Sequence, residues 1–206
     1  MPRDFFHITR TNVLPWSTYP LMQVGNVVET GAVNPFFNYF LAGVRQTIPV
    51  NINNLGIQHF SEMIFLTNLA NGGMTTSMSV SDVARLGQDL AMHFCKYTRE
   101  LIWEDIRAAR YPEKPSRKKC LWLAEGEDNL NYWLSKLGSA NDLLVFRVEV
   151  DEGITHDASD EHLMSDNMAY NEAIAMAECY WNGEISNPIA KEVLFEGRLR
   201  VLEHIS

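Results

Sequence analysis

No run of about twenty apolar residues occurs in the chain, so no segment has the length and polarity of a membrane-spanning helix. The first ten residues, MPRDFFHITR, lack an apolar core of signal-peptide length. A cytoplasmic protein is therefore expected, or one delivered into a target cell without a cleavable signal. Cysteine is scarce: Cys95, Cys120 and Cys179 lie far apart, form no CxxC and flank no His pair. That number and spacing fit neither a disulfide framework nor a zinc site, and reduced thiols are expected. Positive charge is in short supply too, with 17 Lys+Arg against 26 Asp+Glu and a formal net charge of -9. A protein held on nucleic acid by phosphate attraction needs the opposite balance. The densest basic run, SRKK (Ser116 to Lys119), is expected as the solvated approach to a strand. Glycine-rich phosphate loops, HExxH and G-x-S-x-G are all missing, which removes the nucleotide-cradling, zinc-protease and serine-hydrolase readings those signatures carry.

What is present suits one generous domain: 206 residues, 46% hydrophobic and 11% aromatic. FFHITR alternates as a first strand. In NPFFNYFLAGV, Asn34 suits a helix N-cap and Pro35 the first helical position. Residues 45 to 75 are poor in charge and rich in Asn and Gly, and read as turn and loop around the short apolar piece MIFLTNL. From Ser79, SVSD resembles a capping box, and Val83, Leu86, Leu90, Phe94, Leu101, Ile102 and Ile106 follow at helical spacing to about Arg110. In that helix Glu104 and Arg107 are three apart and are expected to pair on the surface, with Arg99 a lesser candidate for a cleft. KKCLWLAE is then a strand, EDNLNYWLSKL a helix stopped by Gly138, and DLLVFRVEV a strand. The acidic DEGITHDASDEHLMSD reads as irregular. The helix MAYNEAIAMAECYW ends at Gly183, and KEVLFEGRLRV supplies one or two last strands. The order predicts a single α+β domain.

Three strand-borne stations carry the candidate chemistry. His7 and Thr9 are two residues apart and share one face of the first strand. Ser116 and Arg117 lead into a strand bearing Trp122, followed by a helix with Tyr132. Glu192 opens the last apolar run, Val193-Leu194-Phe195, which raises the question why a carboxylate stands there. Glu196, beside Gly197, reads as a turn between two strands. The HDASDEH run, with His156 and His162, reads as solvated loop, and no metal is expected.

In their order along the chain, FFHIT, SRKKCLWLAEGEDNLNYW and KEVLFEG resemble the ADP-ribosyltransferase superfamily, in its diphtheria-toxin-like and poly-ADP-ribosyltransferase-like branch. YPEKPSRKKCLWL, ECYWNGE and EVLFEGRLRV resemble, more narrowly, a group of uncharacterised bacterial proteins placed there. The resemblance implies a split mixed or antiparallel β-sheet core with flanking helices, residues 11 to 90 being a helical and loop insertion. It implies NAD as substrate and Glu192 as the catalytic acid. His7 and Thr9 would lie at the remote ribose, Ser116 and Arg117 at the diphosphate, and one of Trp122, Tyr132 or Tyr180 against the nicotinamide. Ala190 stands where the arginine-directed toxins carry a second acid, which disfavours that specificity. The implied activity is mono-ADP-ribosyl transfer by a bacterial toxin, effector or conflict protein to a macromolecule, protein rather than nucleic acid on charge. An antitoxin, immunity protein or chaperone would be its partner. The rival readings are an NAD glycohydrolase on the same fold and a noncatalytic binding module.

Overall fold

The architecture comes from a computed structural model that describes residues 3–12, 21–41, 47–52, 55–138, 142–163 and 168–205. In chain order these residues form β1 (Phe5–Arg10), β2 (Val27–Glu29), α1 (Pro35–Leu41), β3 (Thr47–Ile52), β4 (Gly56–Ser61), α2 (Glu62–Ala70) and α3 (Val80–Arg110). They continue with β5 (Leu121–Glu125), α4 (Gly126–Leu137), β6 (Leu143–Ser159), α5 (Tyr170–Asn182) and β7 (Lys191–Ile205). Short 3-10 turns at Asp160–His162 and Pro188–Ala190 flank α5.

Five strands make the main sheet in the order β2-β7-β5-β1-β6, and every ladder is antiparallel. β6 also pairs with β7 along most of its length, so the sheet curls back on itself. The curl needs two glycines. Gly153 and Gly197 face each other across the β6–β7 ladder with φ of 145 and 150. A Cβ on Gly197 would lie 2.2 Å from the Glu152 carbonyl oxygen, which no side chain tolerates.

Period-two alternation sorts the strands into two faces. Phe5, Leu121, Leu123, Val193, Phe195 and Val201 pack together on one. On the other, Phe6, Ala124 and Val145 are covered by Leu130 of α4, and Leu194 by Trp103 of α3 and Tyr180 and Trp181 of α5. α1, α4 and α5 form as their caps predict: Asn34 Oδ1 accepts the Phe37 N–H at 2.8 Å, and Gly183 closes α5 with φ 74.

Several expectations are corrected. Residues 45 to 75 are not mainly turn and loop: β3 and β4 form a hairpin and α2 follows it. The strand expected to stop at Val150 continues to Ser159, so His156 of the HDASDEH run is a buried strand residue. The tail of the acidic segment, 164–166, and parts of the expected insertion, 13–20, 42–46 and 53–54, lie outside the described residues. Glu196 and Gly197 make no turn, because β7 runs through them. Ser116 and Arg117 are buried, not solvated. Within the stretch 11 to 90, β2 pairs with β7 and Phe36 of α1 packs edge-on to Trp122. All three cysteines are free. Among the described residues no helix is long and apolar enough to cross a membrane.

Candidate functional site

Alternation along β7 answers why Glu192 can stand beside an apolar run. Val193 and Phe195 enter the core on one face, while Glu192 and Leu194 point to the other. The lead-in to the strand is fixed from α4. Asn129 Nδ2 donates to the carbonyls of Ile189 and Lys191 at 2.8 and 2.7 Å, and Trp133 Nε1 donates to the Lys191 carbonyl at 2.8 Å. Glu192 is therefore held at a defined depth, only 6% exposed.

Arg117 meets it there. The guanidinium is 2% exposed and uses its fork on two sides. Nε and Nη2 donate to Oε2 and Oε1 of Glu100 at 2.7 and 3.1 Å, and Nη1 donates to Glu192 Oε1 at 2.7 Å. Nη1 also donates to the Tyr180 hydroxyl, which donates in turn to Glu192 Oε1. Around this centre Arg99 binds Glu100, and Glu104 accepts from Arg107, from the Ser116 hydroxyl at 2.8 Å and from the Arg117 N–H at 3.1 Å. Glu196 accepts the Ser116 N–H at 2.8 Å. The three buried glutamates (100, 104, 192) each pair with an arginine (99, 107 or 117), as burial of charge demands, while Glu196 is half-buried.

The fields inside this cluster are strong. Burial alone would raise the Glu100 pKa, but Arg117 and then Arg99 outweigh it and hold the carboxyl below its ordinary value. Burial likewise would lower Arg117, and Glu100 leads the charges that keep it well above its ordinary value. Burial drives the Tyr180 phenol well above its usual range, so it remains a donor to Glu192. The Cys120 thiol, also pushed well up by burial, is no nucleophile.

Glu192 lines a cavity of about 970 Å³ together with His7, Trp122, Arg117, Lys96 and Trp133. That volume lies near the upper end of the range of about 300–1,000 Å³ for small-molecule sites. His7 Nδ1 is 2.9 Å from the Trp122 carbonyl, which can only accept, so Nδ1 carries the proton. Burial holds the His7 imidazole below its ordinary pKa. Nε2 is then the acceptor of a neutral ring. Trp122 is half-buried, with the Arg117 guanidinium 5.6 Å from its ring centroid and Phe36 of α1 edge-on to it.

The structure thus brings His7, Arg117, Trp122 and Glu192 to the lining of one cavity, and not the other candidates. Thr9 is half-buried further along β1, away from the cavity lining. Ser116 binds Glu104 and supports the turn before β5. Arg117 lines the cavity with its donors already engaged, so it does not suit the diphosphate. Tyr132 is turned to Asp160, its hydroxyl 2.7 Å from the carboxylate, and its neighbour Trp133 lines the cavity instead. Tyr180 is fully buried and can stack on no ligand.

Glu100 and Glu104 were missed as site residues, and the pair Glu104–Arg107, expected at the surface, is largely buried. A signal existed: Glu100, Trp103, Glu104 and Arg107 fall at i, i+3, i+4 and i+7, one face of a helix anchored by a tryptophan. Among the described residues no three His, Cys, Asp or Glu side chains are grouped to hold a metal ion.

No curated protein matches the chain. The model of a family described as protein of unknown function (DUF2441) matches residues 5–206, and the chain belongs to that family.

Proposed function

We propose that this member of the DUF2441 family is an NAD-dependent mono-ADP-ribosyltransferase, built on an ADP-ribosyltransferase-type core, with Glu192 as its catalytic carboxylate. One observation carries the reading. β1, β5 and β7 lie side by side and bring His7, Trp122 and Glu192, three stations spread over 185 positions of sequence, to one cavity of about 970 Å³.

In this reading the nicotinamide ribose lies at Glu192. The C1′–N bond breaks with its electron pair passing to nicotinamide, which leaves as a neutral base, and positive charge develops at C1′ as in glycoside cleavage. A fixed carboxylate on the 2′-hydroxyl favours that cation. Both bonds from Arg117 and Tyr180 fall on Glu192 Oε1, so Oε2 is the oxygen assigned to the hydroxyl. Trp122 offers a ring face to the cationic nicotinamide, worth about 1 kcal/mol. His7 Nε2 accepts from the remote ribose, and binding energy gained there positions the reacting end. Lys96 and Lys136, both at the cavity, suit the diphosphate. A nucleophile on the acceptor then bonds to C1′ and loses its proton to solvent water. The chain's charge of -9 favours a protein acceptor over nucleic acid.

The test incubates the protein with NAD labelled in its adenosine half, alone and with cell extract. Wild type should release nicotinamide and label a macromolecule, and Glu192→Gln should lose about 100-fold or more in rate. Free ADP-ribose with no labelled macromolecule would make the protein a glycohydrolase. Absence of both nicotinamide release and any NAD-dependent rise in melting temperature would sink the enzymatic reading and leave a noncatalytic binding module.

A further inference from the structure

We infer that Glu100, which lies on α3 outside the cavity, is a positioning residue for the carboxylate of Glu192 and acts through Arg117. The inference rests on the catalytic reading of Glu192 given above. Glu100 is 0% exposed and does not line the cavity, so it touches no substrate. It takes one whole edge of the Arg117 fork, Nε at 2.7 Å and Nη2 at 3.1 Å. On the other side Nη1 reaches Glu192 Oε1 and the Tyr180 hydroxyl.

The division matters because a guanidinium facing a single carboxylate favours a two-point fork, with both oxygens engaged. Were Arg117 free to turn its edge to Glu192, both carboxylate oxygens would be occupied, and none would remain for a ribose hydroxyl. Glu100 prevents this by competing for the edge. Its own charge is shared with Arg99, whose Nε and Nη2 donate to Glu100 Oε1 at 3.0 and 2.8 Å. Glu100 can therefore orient Arg117 without withdrawing it from Glu192. Tyr180 reinforces the same geometry. Fully buried and donating to Oε1, it fixes which carboxylate oxygen faces inward. The turn carrying Arg117 is also tied down independently, by Glu104 at the Arg117 N–H and Glu196 at the Ser116 N–H. The backbone stays in place when Glu100 changes, and only the guanidinium is released.

The experiment compares wild type, Glu100→Gln and Arg117→Lys, each at a temperature where circular dichroism shows it fully folded. Nicotinamide release should fall in both variants by about 10- to 100-fold in kcat, with KM for NAD within about threefold, because the substrate contacts are untouched. Arg117→Lys keeps the charge and loses the fork, so it tests the same geometry if Glu100→Gln does not fold. A second readout needs no turnover. The guanidinium N–H signals of Arg117, assigned by their loss in Arg117→Lys, should be separate and sharp in wild type and should shift or merge in Glu100→Gln. Unchanged Arg117 signals in Glu100→Gln, or a loss confined to KM, would overturn the positioning role. If wild type cleaves no NAD, the proposed activity fails, while the Arg117 signals still decide whether Glu100 sets the fork.

Discussion

The two halves of α3 differ in what they bury. Its C-terminal half buries Arg99, Glu100 and Glu104 beside the core residue Trp103. Its N-terminal half buries only Leu90, and Val80 and Phe94 stand in solvent. Beside that half lies the lobe of β3, β4 and α2, in a stretch where Glu62 is the single charged residue between Arg45 and Asp82. Glu62 is itself buried, whereas Leu55, Ile57, Met63 and Ile64 are exposed. Composition decides neither region. In the C-terminal half of α3 the buried carboxylates meet guanidinium groups, and in the lobe apolar side chains stay exposed where none of the described residues covers them.

The sharpest way to break this comparison is to unpair the buried charges. Arg117→Met removes the cation between Glu100 and Glu192 and should cost about 3–5 kcal/mol in urea unfolding, because Glu192 then keeps only the neutral Tyr180 hydroxyl and Glu100 only Arg99. A loss below about 1 kcal/mol would mean the cluster is solvated and the contrast false. Next in size is Gly197→Ala, where the new Cβ would sit 2.2 Å from a carbonyl at φ 150. About 2 kcal/mol or more should be lost there, and an unchanged denaturation midpoint would show that the β6–β7 crossing can relax.

A smaller effect comes with acid. Burial holds the His7 and His156 imidazoles below their ordinary values, so the unfolded chain takes up protons first. Their contribution is complete above about pH 6.5 and declines as pH falls toward the lower folded values. Glu125, held at about 2 by the Arg3 hydrogen bonds and then by Lys191, keeps its share through that window and loses it only at lower pH. The melting temperature should drop between about pH 7 and about pH 5, with a shallower slope in His7→Gln. An identical slope would remove His7 from the account. Smallest of all, Ile57→Ser in the lobe should change stability by no more than about 0.5 kcal/mol. A larger loss would show that the lobe's apolar surface is covered after all.

Local chemistry made much of the fold legible. Asn34 before Pro35, Ser79 before Asp82 and Gly183 after Asn182 each marked a helix end, because a cap binds backbone within a few residues of itself. The second half of β6 was hidden because its acidic residues suggested loop, yet this segment pairs with β7, and Lys191 reaches Asp157 at 3.1 Å. The β3–β4 hairpin escaped for a different reason: β3, TIPVNI, does alternate between exposed and half-buried positions, but it carries Pro49, and its partner GIQHFS is exposed at nearly every position. Of the candidate site, the residues that line the cavity from strands (His7, Trp122 and Glu192) were visible as motifs. Ser116 and Tyr180 were placed in the right neighbourhood with the wrong task, since a residue's identity does not reveal whether it faces a ligand or supports one that does.

The sequence by itself determined the order of elements from α3 onward, several helix ends and the three strand-borne stations, because those depend on hydrogen bonds and periodicity within a few residues. The tertiary structure alone decided that Arg117 would join Glu100, Tyr180 and Glu192, which lie 17, 63 and 75 positions away. A buried charge is tolerable only with a partner, and the partners here come from three other elements that no local window contains.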